Sequence, residues 1–245
     1  MTTLSFIVPA HDEEALIGGV LESLRAAAKA AGEPYEIIVV DDASTDRTAA
    51  IAAAAGAQVV AVDLRQISAV RNAGARLARG DTLVFVDADT HVSAEAVRGV
   101  VEARRAGAVG GGARVRFDEP IPAWARRLMP FFMGTMVQLR WAAGCFIWAE
   151  RAAFDAVGGF DETLFASEEI ALSRALKRRG RFVILPAYVQ SSGRKLRTYS
   201  GLEVLQIGAR LTFWPWSLKR RSALPLWYGE RRQDSGHAHG HRPQP

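Results

Sequence analysis

A chain of 245 residues, 49% hydrophobic and 23% charged, can bury a sizeable core and is too apolar to be disordered along most of its length. Its one cysteine, Cys145, excludes an internal disulfide and any cluster of cysteine metal ligands, as expected of a reducing compartment. The net charge of +5 is uneven: residues 1–193 carry 21 Lys/Arg against 23 Asp/Glu, whereas 194–245 carry 10 against 3, which favours an acidic lipid surface over nucleic acid as the partner.

In chain order, residues 4–10 read as a strand that ends in Pro9-Ala10-His11-Asp12-Glu13-Glu14. A helix follows, with Ile17, Val20, Leu21, Leu24 and Ala28 on one face, closed by Gly32-Glu33-Pro34. Tyr35 to Val40 is a continuous apolar run of the kind buried in parallel sheets, and it too ends in acids, Asp41-Asp42. An Ala-rich helix to Ala55, a strand over 57–62 and a helix with Ile67, Val70, Gly74 and Leu77 on one face come next. Thr82-Leu83-Val84-Phe85-Val86 is a further buried strand; Asp87-Ala88-Asp89 closes it, and a helix with Val97, Val100 and Val101 facing inward follows. Strand-helix units repeated in this way predict a mostly parallel, doubly wound sheet with helices on both faces.

Ligands collect at the carboxyl ends of strands in such sheets, so Asp12, Asp41, Asp42, Asp87 and Asp89 are expected to converge on one cleft. Hard carboxylate oxygens there suit Mg²⁺ or Mn²⁺. An Asp-x-Asp pair can also simply open a turn and cap the helix that begins near Ser93.

Beyond residue 105 the pattern changes. A Gly-rich strand covers 108–117, and no helix follows Gly110-Gly111-Gly112 directly, so it is not a dinucleotide fingerprint. Residues 121–148 hold Trp124, Phe131, Phe132, Trp141, Phe146 and Trp148 among Met129, Met133 and Met136. They suit an acceptor groove or an interfacial helix, with ordinary core packing as the alternative. A strand is expected over 142–149 and a short helix over 151–157, closed by Gly158-Gly159. Ser167 reads as the N-cap of a helix whose first turn holds Glu168 and Glu169. A last strand over 182–185, a basic turn at 193–197, a helix over about 198–212 and a disordered tail over 229–245 complete the prediction. No run approaches the roughly 20 apolar residues that span a bilayer, and the N-terminus does not read as a signal peptide. A cytoplasmic protein, working at the inner face of the membrane, is the expectation.

Four motifs occur in order: Ile7-Val8-Pro9-Ala10-His11-Asp12-Glu13-Glu14, Val39-Val40-Asp41-Asp42-Ala43-Ser44-Thr45-Asp46, Val86-Asp87-Ala88-Asp89, and Gly158-Gly159-Phe160-Asp161-Glu162 with the acidic helix after it. As a set they resemble the inverting family 2 glycosyltransferases with the GT-A fold, over roughly residues 3–190. The resemblance implies one GT-A domain over 1–228, with a nucleotide-binding half over about 1–110 and a smaller acceptor half over about 111–228. It implies that Pro9, Ala10 and Glu13 line the pocket of a UDP- or GDP-sugar, that Asp42 holds the base, and that Asp87 lies near the ribose. Asp89 would bind the divalent metal on the diphosphate, and Arg71 would lie near the donor sugar. The acceptor is left open, a lipid-linked one included.

The chain departs from the family twice. Where relatives usually carry Glu-Asp, with the Asp as general base, it has Glu168-Glu169, which assigns the base to Glu169 with one extra methylene; Glu168 is expected to matter less. Many relatives have a His after the last strand, where this chain has Gln190-Ser191-Ser192-Gly193, and its basic Arg194-Lys195-Leu196-Arg197 could meet the diphosphate instead. Two other classes compete. A nucleotidyltransferase would show a basic Gly-rich loop after the first strand, where this chain is acidic. A non-catalytic nucleotide-sugar-binding protein would bind donor without releasing product.

Overall fold

The first half of the chain repeats one unit. β1 (Leu4–Ala10) leads to α1 (Ile17–Ala31), β2 (Tyr35–Asp42) to α2 (Thr48–Ala54), and β3 (Gln58–Val62) to α3 (Ile67–Leu77). β4 (Thr82–Val86) then runs through a short β5 (Thr90–Val92) into α4 (Ala94–Arg105). The second half is less regular: β6 (Ala108–Phe117), α5 (Ala123–Gln138), β7 (Phe146–Glu150), α6 (Arg151–Ala156), α7 (Glu168–Lys177), β8 (Arg181–Ser191) and α8 (Arg194–Thr198). These elements come from a computed structural model that describes residues 3–204 and 206.

All eight strands join one sheet in the order β3-β2-β1-β4-β7-β6-β8-β5. The first four are parallel to one another; β7 enters antiparallel between β4 and β6, and β6 pairs parallel with β8. The predicted doubly wound sheet with helices on both faces is therefore present, extended by a mixed second half.

Every residue of β1 and β4 is buried, as expected where helices cover both faces. Side chains alternate across the strand. Leu4, Phe6 and Val8 meet Leu21 and Leu24 of α1 and Val97 and Val100 of α4, while Ile7 faces the opposite core of Val70, Phe85, Phe154 and Phe160. In that second core the Phe85 ring lies 5.3 Å from Phe154, tilted by 32°, and 4.9 Å from Phe160 in the edge-on arrangement that aromatic quadrupoles favour. Gly111 shows why the glycine run of β6 matters: a methyl group there would strike the Val183 carbonyl and the Trp148 indole, so the strand passes between β7 and β8 only without a side chain.

Several boundaries differ from expectation. β8 continues to Ser191 because Pro186 falls in a bulge, where the pairing skips from Ala113–Leu185 to Arg114–Tyr188. β7 starts only at Phe146, and α5 is one helix that continues through Pro130. Ser167 does precede α7, but at φ 61° its side chain makes no capping bond. The basic turn is the short helix α8. The expected helix is described only as far as residue 206; the rest of it and the predicted tail lie outside the described residues. No helix among the described residues is long and apolar enough to cross a membrane.

Candidate active site

Three loops at the carboxyl edge of the sheet are stitched together. After β1, the Asp12 amide donates to Ser44 Oγ at 2.9 Å, the Glu13 amide to Thr48 Oγ1 at 2.7 Å, and the Thr45 amide returns a bond to Asp12 Oδ1 at 2.7 Å. Asp42, last in β2, accepts from the Leu64 and Arg65 amides at 2.7 and 3.0 Å, which fixes the loop after β3. Asp12, Ala43 and Arg65 all adopt positive φ in these turns, and Ser167 does so before α7. Left-handed backbone at non-glycine residues is costly and persists only where the surroundings enforce it. Pro9 and Ala10 close β1 in register with Val40 and Asp41, so both border the same edge.

Arg71 of α3 organises the far side. Its guanidinium is buried, yet it donates to Asp87 Oδ1, Glu168 Oε1 and the Gly144 carbonyl, each at 2.8 Å, and lies 5.3 Å from the Phe160 ring centre. Burial works against its charge, but Asp87 and Glu168 outweigh that cost and hold it cationic. The neighbouring Asn72 holds the glycine motif from both sides: it donates to the Phe160 carbonyl and to Glu162 Oε1 at 2.9 Å and accepts from the Phe160 amide at 3.0 Å. The segments Val70-Arg71-Asn72 and Gly159-Phe160-Asp161-Glu162 are thus one unit in space. Arg71 is committed to two carboxylates, and Glu168, expected to matter less, is the buried partner that ties α7 to α3.

Glu169 occupies the next position on α7. A methyl group built on Gly144 would lie 3.9 Å from the Glu169 carboxyl carbon and 3.7 Å from Arg71 Nη2, which places the carboxyl beside the Arg71 cluster. Burial first, and the charge of Glu168 second, push Glu169 up to about 8, with Arg71 pulling the other way.

Asp89 stands at the edge nearest α8. Its carboxylate meets the Thr90 hydroxyl at 3.4 Å and Arg194 at 3.9 Å. Burial, followed by repulsion from Asp87 and Glu13, lifts it to about 6, partly offset by Lys195 and Arg194. Glu13 faces the same space, but Arg194 grips both of its oxygens at 2.8 and 3.2 Å. Sequence reading missed this pair, because the partners lie 181 positions apart and nothing local links them. At the missing-histidine position, Ser191 Oγ and Thr90 Oγ1 are 3.1 Å apart, and the Ser192 amide donates to the Asp89 carbonyl at 3.1 Å.

The donor set suits a divalent ion only in part. Asp87 uses Oδ1 on Arg71 and Glu13 is gripped by Arg194, which leaves Asp89 with the loosest contacts. No group of three His, Cys, Asp or Glu able to hold a metal occurs among the described residues. An ion held by one carboxylate and completed by phosphate oxygens and water fits that arrangement.

The chain is similar in sequence to curated bacterial transferases and in fold to solved structures. The chain is 35% identical over 136 residues to the undecaprenyl-phosphate 4-deoxy-4-formamido-L-arabinose transferase of Pseudomonas paraeruginosa, over 51% of this chain and 40% of that protein. The enzyme of the same name from Edwardsiella ictaluri is 33% identical over 145 residues, 55% of this chain and 43% of its own. The chain thus spans less than half the length of these relatives. Among solved structures, Staphylococcus aureus TarS 1–349 in complex with UDP-GlcNAc superposes with a TM-score of 0.63 at 18% identity, covering 92% of this chain and 78% of that one. The mannosyltransferase PcManGT of Pyrobaculum calidifontis, in complex with GDP-Man and Mn²⁺, gives 0.62 at 18% identity, covering 91% and 72%. At that identity the likeness is one of fold, the GT-A fold. Residues 5–157 match the description of Glycosyl transferase family 2, and the chain belongs to that family.

Proposed function

We propose that the protein transfers a sugar from a nucleoside diphosphate donor to an acceptor oxygen with inversion, and that Asp89 holds a Mg²⁺ or Mn²⁺ ion on the donor diphosphate. The observation that carries this reading is the gathering of Asp87 from the end of β4 with Glu168 and Glu169 from the first turn of α7 around a single buried arginine, with Asp89 next to Asp87 on the side of α8. Pro9, Ala10, Glu13 and Asp42 border the nucleotide, with Asp42 on the base and Asp87 toward the ribose. The donors named for the solved neighbours, UDP-GlcNAc and GDP-Man, support a UDP- or GDP-sugar.

A bound dication would neutralise charge developing on the leaving diphosphate. The chain's own groups do the rest. The acceptor oxygen attacks the anomeric carbon from the side opposite the diphosphate, the new bond forms as the old one breaks, and the electron pair departs with the nucleotide. For a hydroxyl acceptor, the proton passes to the ionised form of Glu169, whose share grows as pH rises towards about 8. Arg71 fixes the placement of Asp87 and α7 by binding both.

The test is a screen of UDP- and GDP-sugars with and without Mn²⁺, reading thermal stabilisation and nucleotide release together. Stabilisation with metal-dependent release supports the reading. Stabilisation without release under any acceptor condition leaves a nucleotide-sugar-binding protein, and release of pyrophosphate a nucleotidyltransferase.

A further inference from the structure

We infer that the open edge of β3 is an interface and that its occupant is β3 of a second copy of this chain, the two strands pairing antiparallel about a twofold axis at Val60 to make one continuous sheet. The inference concerns assembly and does not depend on the transferase reading.

The two edges of the sheet are built differently. At one end β5 offers only three residues, Thr90–Val92, too short a template for another strand. At the other end β3 offers five, Gln58–Val62, and among the described residues no strand pairs with its outer side. Proteins that must stay apart blunt such an edge with a charge, a proline or a bulge. β3 has none of these: it reads Gln-Val-Val-Ala-Val, and its register against β2 runs unbroken from Gln58 to Val62. Val59, Val60 and Val62 each pack on a core cluster yet remain only half-buried, so apolar surface is left at the edge.

The uncharged surface reaches beyond the strand. Residues 48–62 hold no Asp, Glu, Lys or Arg, the longest such run in a chain that is 23% charged. Within it, α2 exposes Ala50, Ala53 and Ala54, side chains too small to keep a neighbouring copy away from the strand beside them.

A second copy suits this edge because the segment is complementary to itself. With the axis at Val60, that residue faces its own counterpart, Val59 faces the partner's Ala61, and Gln58 faces the partner's Val62. Cross-strand pairs of β-branched and small residues stabilise antiparallel strands, and an isologous contact repeats each of them twice. The same register sets Asp63 opposite the partner's Ala57, next to the partner's Gly56. Arg25 of α1 reaches that corner: its Nη2 lies 3.7 Å from where a methyl group on Gly56 would stand, and it meets no carboxylate among the described residues. The Asp63 side chain is 75% exposed, with Arg65 at 3.1 Å on its own loop. The twofold therefore brings each Asp63 towards the partner's Arg25, which places opposite charges at both ends of the joined strands. It also braces the loop after β3, whose Leu64 and Arg65 amides hold Asp42.

Analytical ultracentrifugation of the full chain, from micromolar to submillimolar concentration, tests the assignment. A reversible dimer is expected, and Val60→Lys, which sets two like charges at the axis, should weaken it about tenfold or more. On oxidation Val60→Cys should form an intermolecular disulfide, because the axis brings residue 60 against itself. Val59→Cys and Ala61→Cys, each offset from its own counterpart, should cross-link far less, and the unaltered chain is the control for Cys145. Arg25→Asp and Asp63→Arg should each weaken the dimer about three- to tenfold, and the two together should restore it, a recovery that misfolding does not produce. Should Val60→Lys fail to fold, the charge exchange and the cross-linking pattern still decide. A monomer throughout that concentration range, a dimer unchanged in the folded Val60→Lys variant, no recovery in the double variant, or a disulfide no faster at residue 60 than at 59 and 61 would each overturn the interface.

Discussion

The two halves of the sheet are built to different standards. Around β1, β2 and β4, strands are buried on both faces and their loops are stitched by backbone-to-side-chain bonds, as with Asp42 on the Leu64 and Arg65 amides. Around α5, by contrast, a sixteen-residue helix buries only Ala125 and Met136 and turns phenylalanines outward. The first construction suits a ligand whose shape does not vary; the second tolerates substitution on its outer face and leaves apolar surface exposed. In the function proposed above, rigidity on one side and unspent apolar surface on the other would divide donor recognition from acceptor recognition.

The sharpest way to break that division is at its donor edge. Asp89→Asn is expected to lower turnover by about 10²–10³, while the melting temperature holds, because the contacts it loses are loose ones at 3.4 and 3.9 Å. Undiminished, metal-stimulated turnover in this variant would remove Asp89 from the metal.

Next in size is Glu169→Gln. With a hydroxyl acceptor, transfer should fall by about 10² or more with donor affinity kept, and Glu169→Asp should retain part of the rate. With a lipid phosphate acceptor the loss should be small, so this variant assayed on both acceptors discriminates between them. The pH behaviour follows from the same group. A carboxyl raised in the folded state stabilises it below the unfolded pKa and loses that contribution as pH rises through about 8. Thermal melts should therefore show the wild type losing stability between about pH 4.5 and 8, with Glu169→Gln losing less.

Glu168→Gln shifts the comparison from rate to stability. It removes one charge from a pair whose side chains are 3% and 7% exposed and should cost about 3 kcal/mol, read as a lowered melting temperature. A change within about 0.5 kcal/mol would mean that Asp87 alone suffices for Arg71. Smallest in stability is Phe131→Ser, expected to stay within about 0.5 kcal/mol while reducing co-sedimentation with anionic vesicles. Raised salt should release the wild type from the same vesicles. Unaltered vesicle binding in Phe131→Ser would detach α5 from any membrane role.

Much of the first half was legible because its signals are local. Apolar runs such as Ile37 to Val40 have one reading in a two-sided sheet, and the acids at their ends fall on its carboxyl edge. The second half was less legible for identifiable reasons. Pro186 hides the length of β8 by sitting in a bulge, and β5 spans three residues, too few for any periodicity. Met and Phe along α5 look the same in sequence whether they face a core, a groove or a bilayer. Within the site, motif positions carried over but pairings did not: Arg71 with Glu168 and Glu13 with Arg194 join segments that only the folded sheet brings together.

The antiparallel strand β7 also sets a schedule. β4 is complete once Val86 has been made, yet the edge bearing Leu83, Val84 and Phe85 receives its partner only when Phe146 to Glu150 emerge. At translation rates of about 5–20 residues per second that interval lasts about 3–12 s. Throughout it the nascent chain presents an unpaired, apolar strand edge, the kind of template that recruits other chains. Synthesis that stalls before Phe146, or a fragment cut there, leaves that edge open, so the first four strands need the later residues to remain in solution as well as to complete the sheet.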